Sequence, residues 1–144
     1  MSFSASMPVR VEWGDCDPAE IVFYPNYFRW FDVASWNLFE VAGGGWDSIR
    51  RRFGSVCIPL LGAESQFRSP SRVADQLIIE SRVVSWERKV FKVGHRVLND
   101  GVVAVEGSET RCWALHDRQN GGRMRGELIP AELTALFAGP TGGR

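Results

Sequence analysis

NYFRWFDVASWNLFEVAGGG, residues 26–45, is the segment on which the architecture turns. Tyr27, Trp30, Phe31, Ala34, Leu38 and Val41 fall at offsets 0, 3, 4, 7, 11 and 14. That spacing predicts a long helix with an apolar stripe. Pro25 sets the entry and Asn26 is the expected N-cap. Gly43, Gly44 and Gly45 end it, because a left-handed C-terminal residue costs glycine little. Phe28, Trp36 and Phe39 lie off the stripe, so most of this helix is apolar. A helix greasy on most sides needs wrapping.

Upstream, Val9, Val11 and Trp13 alternate with Arg10 and Glu12, which reads as a short strand. Downstream, residues 46–53 read as a second, short helix. Residues 56–68 are extended and bent by Pro59 and Gly62, and residues 76–86 are rich in Leu, Ile and Val. Val90 to Leu98 alternates, and Asn99-Asp100-Gly101 signals a hairpin turn. Residues 102–115 read as one long curved strand, 117–126 as a glycine-rich loop, 129–137 as a terminal helix and 138–144 as a frayed tail. One helix followed by antiparallel strands predicts an α+β fold, with about five strands curled round the helix.

The bulk properties agree. A chain of 144 residues, 44% hydrophobic and 24% charged, suits a single domain spanning 1–144. Lys+Arg and Asp+Glu both number 17, so there is no one-signed field for nucleic acid. No segment reads as a signal peptide or a bilayer span, so no membrane partner is expected. The three cysteines, Cys16, Cys57 and Cys112, form neither a CxxC pair nor a zinc spacing. They point to a cytoplasmic setting and no metal.

Chemistry concentrates in GDCDPAEIVFYPNYFRWFD, residues 14–32. In an extended chain Asp15 and Asp17 share one face and Cys16 takes the other. Pro18 biases Asp17 towards extended backbone. A carboxylate in a loop over a greasy helix is a candidate nucleophile or general base; the plainer role for both acids is turn capping. Backbone N–H groups at residues 24–27 lie at the positive end of the helix and can hold an oxyanion. Cys16 with His95 or His116 would make a thiol nucleophile, but nothing ties them in sequence; His95 reads as a core histidine. Arg50, Arg51 and Arg52 read as a solvated helix face.

This segment resembles the signature of the 4-hydroxybenzoyl-CoA thioesterase family, in the branch whose catalytic acid is the Asp before proline. The likeness continues through SWERKVF, residues 85–91. It implies a hotdog fold, an antiparallel sheet wrapped around a long central helix, with active sites at a dimer interface. It implies that Asp17 attacks the thioester carbonyl, or acts as general base on water, while the Tyr24 N–H binds the carbonyl oxygen. Asp32 would accept the aryl 4-hydroxyl, Tyr27 and Trp30 would line the acyl site, and Arg88 and Lys89 would grip CoA phosphates. No cofactor is implied. The chain departs from the pattern at Glu20, where glycine is usual, at Glu87, and at Ile58 and Glu64 near the pocket.

The expectation is hydrolysis of an aromatic acyl-CoA by a homodimer or homotetramer. The alternatives are a thioesterase for short or medium aliphatic acyl-CoA and a non-catalytic acyl-CoA-binding protein of the same fold.

Overall fold

In the computed structural model, which describes residues 2–139, the helix and the strands form two layers. The elements are β1 (Ser4–Arg10), α1 (Pro25–Gly43), α2 (Trp46–Phe53), β2 (Val56–Cys57), β3 (Leu60–Phe67), β4 (Gln76–Glu87), β5 (Val90–Asn99), β6 (Val102–Cys112), β7 (Ala114–Asp117), β8 (Arg123–Gly126) and α3 (Ala131–Leu136). Five strands form one antiparallel sheet in the order β1-β4-β5-β6-β3, and its inner face packs on α1. This is the hotdog arrangement. Leu77, Ile79 and Val97 meet Trp30, Phe31 and Ala34. Val83, Phe91 and Trp113 meet Leu38 and Phe39. Each large side chain buried this way contributes roughly 1.5–3 kcal/mol.

Several boundaries differ from the expectation. The first strand starts at Ser4 and stops at Arg10, because Trp13–Asp15 forms a 3-10 turn. The N-cap of α1 is Tyr24, and Pro25 is the first helical residue, where its missing N–H costs nothing. Asn26 instead donates through its amide to the Asp15 carbonyl at 2.7 Å. Gly44 caps the far end with φ 74°. The long strand expected over 102–115 breaks at Trp113. Beyond it β7 joins a second sheet of order β2-β7-β8, so the expected 117–126 loop contains a strand. The Asn99-Asp100-Gly101 turn is present, with positive φ at both Asp100 and Gly101. Most of the expected frayed tail, residues 140–144, lies outside the described residues.

Between the two apolar clusters runs a polar band. Ser35 from α1, Ser81 from β4, His95 from β5, and Glu109 and Arg111 from β6 are all buried. Strand alternation puts them on the same inner face as the apolar neighbours. Among the described residues no buried side-chain nitrogen or oxygen lacks a partner.

Candidate active site

The loop from Val11 to Tyr24 carries Asp17 and leads into the start of α1. It is anchored at one end by Val11, whose N–H donates to the Asp75 carbonyl at 3.0 Å. Asp15 organises the middle. Its carboxylate accepts the Glu12 N–H at 2.9 Å and pairs with Arg29 at 3.2 Å. Its carbonyl accepts the Phe23 N–H at 2.9 Å and the Asn26 amide. The loop is thereby tied to the first turn of the helix.

Asp17 lies two residues on, within about 7 Å of chain from that anchor. Its N–H donates to the Ile21 carbonyl at 2.9 Å, and its carbonyl accepts the Glu20 N–H at 2.8 Å. Oδ1 accepts the Ala19 N–H at 2.8 Å, while Oδ2 takes no donor from the described residues. The turn-capping role therefore holds for Asp15 and for one oxygen of Asp17. The extended backbone that would set the two carboxylates on one face is not formed, because Asp15 ends a 3-10 turn. Glu20 closes the turn with φ 67°, the conformation that makes glycine usual there.

The Tyr24 N–H has no acceptor among the described residues. The N–H groups of Asn26 and Tyr27 are spent on the carbonyls of Phe23 and Tyr24. Of the four positions considered from sequence, Pro25 has no N–H, and of the three donors only that of Tyr24 stays open among the described residues. An open groove of about 670 Å³ passes Asp17, lined by Trp13, Pro18, Glu20, Arg72 and Val73. Trp13, expected half-buried on a strand, is 82% exposed at this groove.

The remaining candidates separate. Tyr27 and Trp30 belong to the core beneath the helix, not to an open acyl wall. Ile58 is also fully buried. Asp32, by contrast, is exposed. Its side chain is 55% exposed, and its donor is Arg111, at 2.6 Å to Oδ1. Arg88 and Lys89 form the exposed β4–β5 turn, with φ 54° at Arg88 and no carboxylate partner among the described residues. The Asp17 loop meets the opposite end of β4, where Arg10 pairs with Gln76. The 12 residues of β4 run about 36 Å along the strand. One chain therefore does not bring its own hairpin to its own Asp17.

No hydrogen bond joins Cys16 to His95 or His116 among the described residues; the Cys16 thiol lies 3.8 Å from the Glu12 carbonyl oxygen. Burial, then the Asp15 and Asp17 carboxylates, push the Cys16 thiol up, away from thiolate. His95 is engaged inside the polar band, with Nδ1 on Ser81 at 2.7 Å and Nε2 on Glu109 at 3.0 Å. Sequence reasoning placed His95 in the core correctly but missed its polar partners. The signal was parity: Val105, Gly107, Glu109, Arg111 and Trp113 alternate, so Glu109 and Arg111 face inward with the apolar residues.

Comparison with known proteins gives a consistent result. The model of the thioesterase-like superfamily matches residues 11–137. The chain is 35% identical over 142 residues to the 4-hydroxybenzoyl-CoA thioesterase of Pseudomonas sp. (strain CBS-3), covering 94% of this chain and 99% of that one. Among solved structures it is similar to a D17N variant of 4-hydroxybenzoyl-CoA thioesterase complexed with 4-hydroxybenzoyl-CoA. That match has a TM-score of 0.81 and 33% identity, covering 93% of this chain and 98% of that one. It is also similar to a gentisyl-coenzyme A thioesterase, with a TM-score of 0.75 and 29% identity, covering 89% and 98%.

Proposed function

The chain belongs to the 4-hydroxybenzoyl-CoA thioesterase family of the thioesterase-like superfamily, and from that premise we propose that it hydrolyses an aromatic acyl-CoA to the free acid and CoA. The observation that carries the reading is the conjunction of a free Asp17 oxygen with an unpaired Tyr24 N–H at a helix start. The N–H polarises the thioester carbonyl and holds the oxyanion that develops. Asp17 acts by one of two routes. As nucleophile its carboxylate bonds to the carbonyl carbon, the C–S bond breaks and CoA leaves as the thiolate, which takes a proton from solvent; water then cleaves the resulting anhydride and regenerates the Asp17 carboxylate. As general base it takes a proton from the water that attacks directly. Both routes release the same acid and the same thiol, and no metal or cofactor enters either.

Asp32 recognises the far end of the acyl group. It lies eight residues beyond Tyr24, about 12 Å along the helix axis. One aromatic ring with a terminal hydroxyl, plus a hydrogen bond at each end, fills such a gap. The relatives named above act on hydroxylated aryl thioesters, which supports this choice over an aliphatic chain.

The working unit is a homo-oligomer, dimer or tetramer, in the cytoplasm. Two observations support the oligomer. Among the described residues the β3 edge strand has no strand on its outer side, and it exposes Leu60, Leu61 and Phe67. The separation along β4 means that Arg88 and Lys89 can serve CoA only at the Asp17 of another copy.

The test is thiol release over 4-hydroxybenzoyl-CoA, benzoyl-CoA and butyryl-CoA, with Asp17→Asn alongside. Asp17→Asn should stay folded and lose at least about 10²-fold in kcat. Near-normal turnover by that variant would remove Asp17 from its role. Faster release from butyryl-CoA than from either aryl thioester would favour the aliphatic reading.

A further inference from the structure

Arg111 is 1% exposed, yet its charge reaches the surface. The guanidinium uses four of its five N–H groups. Nη1 donates to the Ile58 carbonyl at 2.7 Å. Nε and Nη2 grip the two oxygens of Glu109 at 3.3 and 2.8 Å. Nη2 also reaches Asp32 Oδ1 at 2.6 Å. Glu109 is held in turn by Ser35 and His95. His95 is fixed by Ser81 and by the Phe31 ring, stacked at 4.7 Å and 3°. A chain of fixed contacts thus runs from the middle of the core to one carboxylate on α1. It ends at Asp32 Oδ2, which has no protein donor among the described residues.

Stability alone does not explain such a network. Buried ion pairs often contribute less than apolar side chains of the same volume, because both charges leave water. A half-exposed Asp on a helix would otherwise sample several rotamers and keep its own water shell. Pinned by the fork, it presents one oxygen in one direction before any ligand arrives, and that ordering no longer opposes binding. The local charge also matters. With Asp32 and Glu109 ionised and Arg111 protonated, two negative charges face one positive. A hydroxyl hydrogen is welcome at Oδ2, and a carboxylate is repelled.

We propose that Arg111, locked by Glu109, is a positioning residue that aims Asp32 and so sets a preference for acyl groups ending in a neutral hydroxyl donor over those ending in a carboxylate or in bare carbon. The proposal rests on the reading that Asp32 meets the acyl group. Arg111 touches no substrate itself; it acts through Asp32.

The experiment measures kcat and KM on 4-hydroxybenzoyl-CoA, benzoyl-CoA and 4-carboxybenzoyl-CoA. The proteins are the wild type, Asp32→Asn, Arg111→Lys and the double variant Arg111→Met with Glu109→Gln, with Tm recorded for each. Arg111→Lys keeps the charge but cannot hold three partners in one plane. The double variant removes both buried charges together, so no lone ion is left in the core. The expected result is a wild-type hydroxyl preference of about 10-fold or more in kcat/KM. Both Arg111 variants should lose most of that preference through KM for the hydroxylated substrate, with benzoyl-CoA turnover changing far less, and discrimination against the carboxylated substrate should weaken in Arg111→Lys. Equal losses on all three substrates would mean a merely structural role and overturn the proposal. So would loss of folding in both Arg111 variants while Asp32→Asn stays folded. A preference that vanishes in Asp32→Asn but survives in Arg111→Lys would overturn this proposal and leave the Asp32 reading intact. A wild type with no hydroxyl preference would remove both.

Discussion

Glu20 holds φ 67° in the turn that carries Asp17, a conformation that costs a non-glycine residue roughly 1–2 kcal/mol. Glycine removes that strain but gains freedom in the unfolded chain, so the two effects partly cancel. Glu20→Gly should stabilise the protein by about 1 kcal/mol, a rise of about 3 °C in Tm by calorimetry. An unchanged or lower Tm would show that the Glu20 side chain returns what its backbone loses. At this scale the sequence was read well where backbone chemistry speaks locally. The glycine helix stop marks the left-handed cap at Gly44, while the special backbone at Glu20 was signalled only by the family resemblance, whose pattern has glycine there. The partners of Asp32 were not legible, because Arg111 lies 79 residues away and only tertiary packing brings it near.

Between elements, the seat of α1 on the sheet depends on one small residue. A Cβ added to Gly107 of β6 would stand 2.5 Å from Phe31 Cε2 and 3.0 Å from the Glu64 carbonyl oxygen. The backbone oxygen cannot swing away, so the ring or the strand must shift. Gly107→Ala should cost about 1–3 kcal/mol, seen as a lower midpoint in urea at unchanged m-value. A variant as stable as the wild type would mean that the Phe31 ring relocates freely. The helix and most strands were legible from period and turn chemistry, since each is a local pattern. The break at Trp113 was not. Residues 102–115 keep a strand-like composition throughout, and only the second sheet, formed with β2 and β8, shows where the chain changes partners. Gly107 within this strand makes room for the Phe31 ring.

For the whole molecule, the polar band makes folding acid-sensitive. His95, Arg111 and Ser35 hold Glu109 down to about 2 from 4.5, against the burial that opposes it. Its folded pKa is depressed, so its contribution is complete above the unfolded value and fades as pH falls from about 5 towards 2. The shift corresponds to about 3 kcal/mol. Burial also lowers the His95 pKa from 6.5, so the unfolded chain takes up that proton first and the loss begins near pH 6.5. Urea unfolding should therefore weaken in two stages between pH 7 and pH 3; a flat free energy over that range would contradict the network. Charge balance and composition predicted a globular chain but not this belt, which looks ordinary until strands pair. The exposed Trp13 has a practical consequence. Trp30 and Trp113 are buried and the other three tryptophans are partly covered, so a water-soluble quencher reaches Trp13 most readily. The groove beside Asp17 thereby carries its own optical probe, and the colour of that indole's emission reports whether the groove is wet or covered.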